Sequence, residues 1–338
     1  MRIGIGISGG VDSTVAAYLL KQAGHEVTGY TMRTSLDTPV LHEAKVAAEW
    51  LGITLKTLDF SDCFEKEILR PFADEYASGR TPSPCVWCNR RLKFGLLAES
   101  ILSDGNDLVA TGHYVKVKRD EFGCLGLYRG ADPVKDQSYF LAQVPLDMLE
   151  HVVFPLADMQ KCEVRKLCID INAPAANRSE SQDLCFIPQG KFSEIVLKYH
   201  PELAQKGKII TADGRVLGSH SGAFQYTRGQ RRGIGLGGGP WFVTDVRMSE
   251  NLVVVAHDGE SQQMSCHLND VKLLTNYTDK TLDGVVQIRY RMKAQPATMY
   301  LMGNEADVYF NQPVQYTTPG QLAVLYCNDQ VVASGWIV

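Results

Sequence analysis

No apolar run in the 338 residues approaches the length of a membrane span, so no membrane partner is expected. No basic leader with an apolar h-region precedes the first strand-like residues, and the expectation is a cytoplasmic protein. Neither sign of charge dominates. With 34 Lys and Arg against 38 Asp and Glu, the formal charge of -4 announces no global nucleic-acid surface, and any such surface must be local. Nine cysteines is an odd number for a disulfide framework, and no second CxxC is present to complete a structural zinc site. Internal repeats and low-complexity segments are absent too. At this length the chain suffices for about two domains, or three if one is small.

What is present divides at about residue 200. The first part alternates strand and helix: a strand at 2–7, a helix at 12–23 closed by Gly24, the strand "HEVTGYTM", the helix "LHEAKVAAEWLG", the strand "TLKTLDF" and a helix from "SDCFEKEILRPFADEYASG". Asp62 and Glu65, three apart, read as a capping pattern for that last helix. A helix at about 90–103 and the strand "DLVATG" continue the alternation, which predicts a doubly wound parallel sheet. Beyond residue 200 the pattern turns to short β-rich runs, with Asp213-Gly214 as a hairpin turn. The expected division is a catalytic α/β domain over 1–199, a small β-rich domain over 200–260 and a C-terminal β-barrel or sandwich over 261–338.

The stretch "IGIGISGGVDSTVAAYLL" runs from a strand through a glycine turn into a helix. Its glycines let backbone amides converge on an anion, the helix start adds its dipole, and Ser8 and Ser13 add hydroxyl donors. No lysine follows the glycines. A loop of this type can cradle pyrophosphate as a leaving group, which is the chemistry of adenylation. The stretch resembles the signature of ATP-pyrophosphatases, and that resemblance gives Asp12 the task of holding Mg2+ on the phosphates of ATP.

Seven of the nine cysteines fall within the first 185 residues. "TPSPCVWCNRRLKF" places Cys85 and Cys88 in a proline-rich loop before a helix, where the helix start and the neighbouring Arg90 and Arg91 are expected to favour thiolate. Cys185, in "SESQDLCFIP", has polar residues before it and apolar ones after, as at a strand end beside a pocket. Basic clusters lie at "NRRLKF", "KVKR", "RGQRR" and "RYRMK", each of which can also be an ordinary solvated face.

Taken together, "SGGVDS", "GRTPSPCVWCNRRLKF", "ATGHY", "RGADPVKDQSYFL", "SQDLCFI", "GKIITADGRVLGSHSGAFQYTRGQRRGIGLGGGPWFV" and "PGQLAVLY" resemble the tRNA-specific 2-thiouridylases essentially end to end. The resemblance implies ATP-dependent replacement of the 2-oxygen of the wobble uridine by sulfur in glutamine, glutamate and lysine tRNAs. It implies Cys88 as nucleophile and Cys185 as the persulfide-bearing cysteine. Gly6, Ile7, Ser8, Gly9, Gly10, Val11, Asp12 and Ser13 would bind ATP, with Met32 and Gly112 beside the adenosine. Ser83, Pro84 and Cys85 would border the target base. His113, Lys135, Asp136, Gln137, Arg289, Tyr290 and Gln321 would meet tRNA.

The chain departs from the family in two places. The segment after Met32, "YTMRTSLDTPVLHEAK", is shorter than in relatives and lacks their tryptophan-containing acidic loop. Cys85 stands where many relatives have Asp. With it, Cys85, Cys88 and Cys185 supply the three thiolates a [4Fe–4S] cluster with one open iron requires, so sulfur arrives either by a persulfide carrier or as sulfide on such a cluster. The rival readings are a related adenylating enzyme with a small-molecule acceptor and a non-catalytic RNA-binding protein.

Overall fold

The computed structural model describes residues 1–34, 40–178, 184–187, 192–257, 262–275 and 279–338. Strands β1 (Arg2–Gly6), β2 (Glu26–Arg33), β3 (Leu55–Asp59) and β4 (Leu108–Ala110) are followed by a hairpin, β5 (Val115–Arg119) and β6 (Leu125–Arg129), and then by the short β7 (Val152–Val153). The sheet β3-β2-β1-β4-β7 is parallel throughout. Helices Val11–Gln22, Val40–Leu51 and Lys161–Asp170, with two long helical runs at 61–77 and 84–103, complete the doubly wound layer.

The alternation of Ile and Gly in β1 explains how its two faces are used. Ile3, Ile5 and Ile7 are buried in one core with Val15, Ala16 and Val164. On the opposite face a Cβ at Gly4 would lie 2.2 Å from the side chain of Ile101, so only glycine lets the helix Ala98–Ser103 approach this closely. The 61–77 helix starts differently from the expected pattern: Asp59, not Asp62, accepts from Ser61 N at 3.0 Å and from its hydroxyl at 2.7 Å. An Asp two residues upstream reaches the free N–H groups of the first turn, which Asp62, already inside the helix, does not.

Strands β8 (Gly207–Ile210), β9 (Val216–His220), β10 (Phe242–Arg247) and β11 (Leu252–Ala256) form a separate sheet in the order β10-β11-β8-β9. Its β8–β9 turn is the expected one, with Gly214 at φ +88°. The remaining strands, β12 (Gln262–Leu273), β13 (Thr281–Gln287), β14 (Gln295–Met302), β15 (Glu305–Gln315), β16 (Leu322–Cys327) and β17 (Gln330–Ile337), close into a barrel because β12 pairs with both β15 and β17.

The barrel is not an appended unit. The β5–β6 hairpin, which includes the "KVKR" cluster, joins the barrel sheet where Tyr128 pairs with Gln330. One apolar core runs across the junction, joining Val86, Leu127 and Tyr139 to Leu322, Val324 and Tyr326. The Tyr139 hydroxyl donates to the Leu322 carbonyl at 2.8 Å, which satisfies a buried phenol at the seam. The helices of the α/β layer therefore rest directly on the barrel wall.

Candidate active site

A cleft opens at the carboxyl ends of β1, β2 and β4, where ligands bind in open α/β sheets. Its walls include Gly6, Ile7, Ser8, Asp12 and Ser13 from the glycine turn, Met32 from β2, and Gly112 and His113 after β4. Of the expected ATP ligands, Gly9, Gly10 and Val11 belong to the same turn without forming that wall. Gly9 has φ +74°, and a Cβ there would fall 2.3 Å from the Glu43 backbone, so the turn requires glycine twice over. Gly112 is constrained in the same way, since a Cβ would lie 2.8 Å from the Asp12 backbone. The loop is held open by its own serines: Ser8 and Ser13 hydroxyls are 3.2 Å apart, and Ser13 donates to the Gly10 carbonyl at 3.2 Å. Thr31 is buried in the wall, and among the described residues its hydroxyl has no hydrogen-bond partner, which suits it to a polar ligand atom; sequence reasoning did not single it out.

A cation reaches the carboxylate of the loop from elsewhere in the chain. Lys161 Nζ lies 2.6 Å from Asp12 Oδ1, and the Tyr114 hydroxyl donates to the same oxygen at 2.6 Å. Both bonds fall on Oδ1. Among the described residues nothing is bonded to Asp12 Oδ2, so the residue fits the magnesium ion that accompanies ATP. Arg178 donates to the Gly9 carbonyl at 2.7 Å and pairs with Glu43 at 2.8 Å, clamping the back of the loop. Neither Lys161 nor Arg178 was found by sequence reasoning. The one local signal was the capping box of Gln160 and Glu163, which fixes the helix start at Lys161.

Cys85 and Cys88 lie inside the 84–103 helical run, not in a loop ahead of it, because Pro84 occupies its first turn. The expectation of favoured thiolates is reversed. Burial pushes the Cys85 thiol up to about 12 and the Cys88 thiol up to about 11, and the cation that opposes this is Lys93. Arg90 and Arg91 are turned to other partners: Arg90 to Asp270 at 2.9 Å, Arg91 to Glu67 at 3.2 Å. Cys185 is exposed in a turn at 184–187 rather than at a strand end. It is near enough that its charge would raise both other thiols. Among the described residues no three His, Cys, Asp or Glu side chains converge on a point that a single metal ion could occupy.

Three family models match successive parts of the chain: the tRNA methyl transferase HUP domain over 1–189, the tRNA methyl transferase PRC-barrel domain over 194–257 and the aminomethyltransferase beta-barrel domain over 263–337. The tRNA-specific 2-thiouridylase MnmA of Geobacter metallireducens is 39% identical, covering 99% of this chain and 96% of its own length. The protein of the same name from Carboxydothermus hydrogenoformans is 36% identical, with 99% and 97% covered. The chain belongs to the tRNA-specific 2-thiouridylase family.

Within a 2-thiouridylase of this build, the residues that the resemblance assigns to tRNA fall into separate places. His113 is buried against Phe94 and Phe154 and bonded to Thr111 at 2.8 Å, and burial, with Lys93 adding to it, holds its imidazole well below the ordinary histidine range. It belongs to the nucleotide cleft, together with Gln137, whose side-chain oxygen accepts from Tyr114 N at 3.0 Å. Asp136 is buried and organises its own turn, accepting from Arg129 at 2.8 Å and from the Ser138 hydroxyl at 2.8 Å. Lys135 and Tyr290 lie in one neighbourhood, with Tyr290 packed on Phe140 at 4.3 Å. Arg289 donates to the Arg228 carbonyl at 3.2 Å, joining barrel to central sheet. Gln321 is buried against the loop that carries Ser83, Pro84 and Cys85. Residues 35–39 of the shortened segment after Met32 lie outside the described residues.

Proposed function

We propose that this chain catalyses ATP-dependent 2-thiolation of the wobble uridine in glutamine, glutamate and lysine tRNAs. The observation that carries the reading is that the helix bearing Cys88 also supplies Lys93 and Leu97 to the wall of the glycine-loop cleft. Adenylation and sulfur transfer therefore share one site. A uracil 2-carbonyl does not surrender its oxygen to a sulfur nucleophile, but its adenylated form expels AMP, a far better leaving group. The glycine loop cradles the pyrophosphate, Asp12 holds Mg2+, and Met32 and Gly112 flank the adenosine. Magnesium supplies charge neutralisation on the phosphates.

The target base leaves the anticodon stack to enter beside Ser83, Pro84 and Cys85. Cys185, exposed in its turn, takes the terminal sulfur of a persulfide carrier protein by thiol–persulfide exchange, which leaves the carrier as its thiol, and Cys88 acts as the nucleophile that completes transfer; free sulfide needs no such loading and attacks the adenylated carbon directly, displacing AMP. Lys135, Tyr290 and the "RGQRR" segment contribute to the tRNA surface, with the chain divided functionally at about residues 200 and 260.

The test is mass analysis of the wobble uridine after incubation of protein, tRNA, ATP and sulfide. 2-Thiouridine should appear together with AMP and pyrophosphate, and Asp12→Ala should suppress all three. Release of ADP and inorganic phosphate would sink the adenylation reading.

A further inference from the structure

Among the described residues the cleft wall contains one carboxylate, Asp12, and one ammonium, Lys93. Asp12 is already matched by Lys161 at 2.6 Å. Lys93 is half-buried, and among the described residues it makes no ion pair and no hydrogen bond. A partly buried ammonium facing a cavity without a counter-ion is costly unless an anion enters that cavity.

The local backbone places this charge. Cys88–Leu97 is π-helical up to a break at Gly95, with residue i bonded to residue i+5, so Lys93 lies about one turn on from Cys88. In an α-helix of 3.6 residues per turn, five residues would rotate Lys93 about 140° away from Cys88. The π-helical stretch thus brings one cation to both the nucleotide wall and the thiol helix, and its field reaches Cys85, Cys88 and His113.

We propose that Lys93 is a catalytic residue that binds the α-phosphate of ATP and of the adenylated uridine, supplying from the cysteine helix the lysine that the glycine loop lacks. This rests on the adenylating reading above. The pyrophosphate sits on the glycine loop and the uracil must lie beside Cys88, so the phosphorus bonded first to one and then to the other passes between them, where Lys93 stands. In that step the uracil 2-oxygen attacks the α-phosphorus and the bridging P–O bond to the β-phosphate breaks. Its electron pair leaves on pyrophosphate, and the uracil N3 proton passes to solvent. Negative charge on the non-bridging α-oxygens is what a fixed ammonium stabilises.

Titration calorimetry of the full-length protein with AMP, α,β-methylene-ATP and adenosine, without tRNA, tests the assignment. Lys93→Gln should weaken AMP and α,β-methylene-ATP binding by about tenfold or more while leaving adenosine unchanged, and Lys93→Arg should recover most of the loss. With saturating ATP and tRNA, pyrophosphate release by Lys93→Gln should fall about 100-fold. Unchanged AMP affinity, or an equal loss for adenosine and AMP, overturns the assignment and leaves Lys93 a scaffold residue. Because the binding arm needs no tRNA, a wild-type protein that binds AMP through Lys93 yet never thiolates tRNA would support this inference while removing the thiolation reading alone.

Discussion

Gln321, at the foot of the barrel strand β16, donates its side-chain amide to the carbonyl of Thr81 at 2.9 Å and to that of Pro82 at 3.2 Å. The same loop is tied by Thr81 N to the Pro319 carbonyl at 2.8 Å and by the Thr81 hydroxyl to Thr227 at 3.2 Å. The segment leading into Ser83, Pro84 and Cys85 is thus pinned by the barrel and the central sheet together. Removing the amide in Gln321→Ala leaves buried carbonyls unsatisfied, a cost of about 1–3 kcal/mol. The expected outcome is a kcat for thiolation lowered about tenfold, with tRNA affinity within about twofold of wild type. Filter binding alongside single-turnover thiolation checks it, and the reverse pattern would make Gln321 a direct tRNA contact.

Lys135 and Arg289 should separate in a salt titration, although both were expected to meet tRNA. Arg289 is committed to Arg228 and to the Thr318 hydroxyl, whereas Lys135 lies in the loop beside Tyr290. Lys135→Ala should reduce the slope of log K against log salt by about one, as for a lost phosphate contact. Arg289→Gln should leave the slope unchanged and lower the melting temperature instead. A reduced slope for Arg289→Gln would restore it to the phosphate-contact list.

The Cys88 thiol in the free protein should react as a buried, protonated group. Its value of about 11, set by burial against the smaller opposing pull of Lys93, means that thiolate grows with pH well beyond the ordinary cysteine range. Iodoacetamide labelling read at Cys88 by peptide mass spectrometry should rise about tenfold per pH unit from pH 8 to pH 10. A plateau near pH 8.5 would show that the resting thiol is already activated.

Cys85 decides the sulfur route. In a persulfide relay only Cys88 and Cys185 are chemically required, so Cys85→Ser should retain at least about half of wild-type thiolation, while Cys88→Ser and Cys185→Ser abolish it. Thiolate is a far better iron ligand than a serine hydroxyl, so anaerobic reconstitution with iron and sulfide provides the contrast. Thiolation that appears only with iron bound and vanishes in Cys85→Ser would return the three cysteines to a cluster.

The first strand, the glycine turn beneath Asp12 and the Asp213-Gly214 hairpin were legible without coordinates, because each depends on the conformational range of a few adjacent residues. The parallel α/β layer and the later β-rich region followed from periodicity in the same way. The CxxC motif was equally visible, but the ionisation of its thiols was not, since burial against residues distant in sequence outweighs the nearby arginines. The partner of Asp12 was out of reach of any local pattern: Lys161 is 149 positions away and arrives only because its helix packs against the first. Gln321 and Thr81, 240 positions apart, meet for the same reason. Short-range sterics write turns and strands into the sequence, whereas the charges and clamps of this site exist only where packing brings remote segments within a few ångströms of each other.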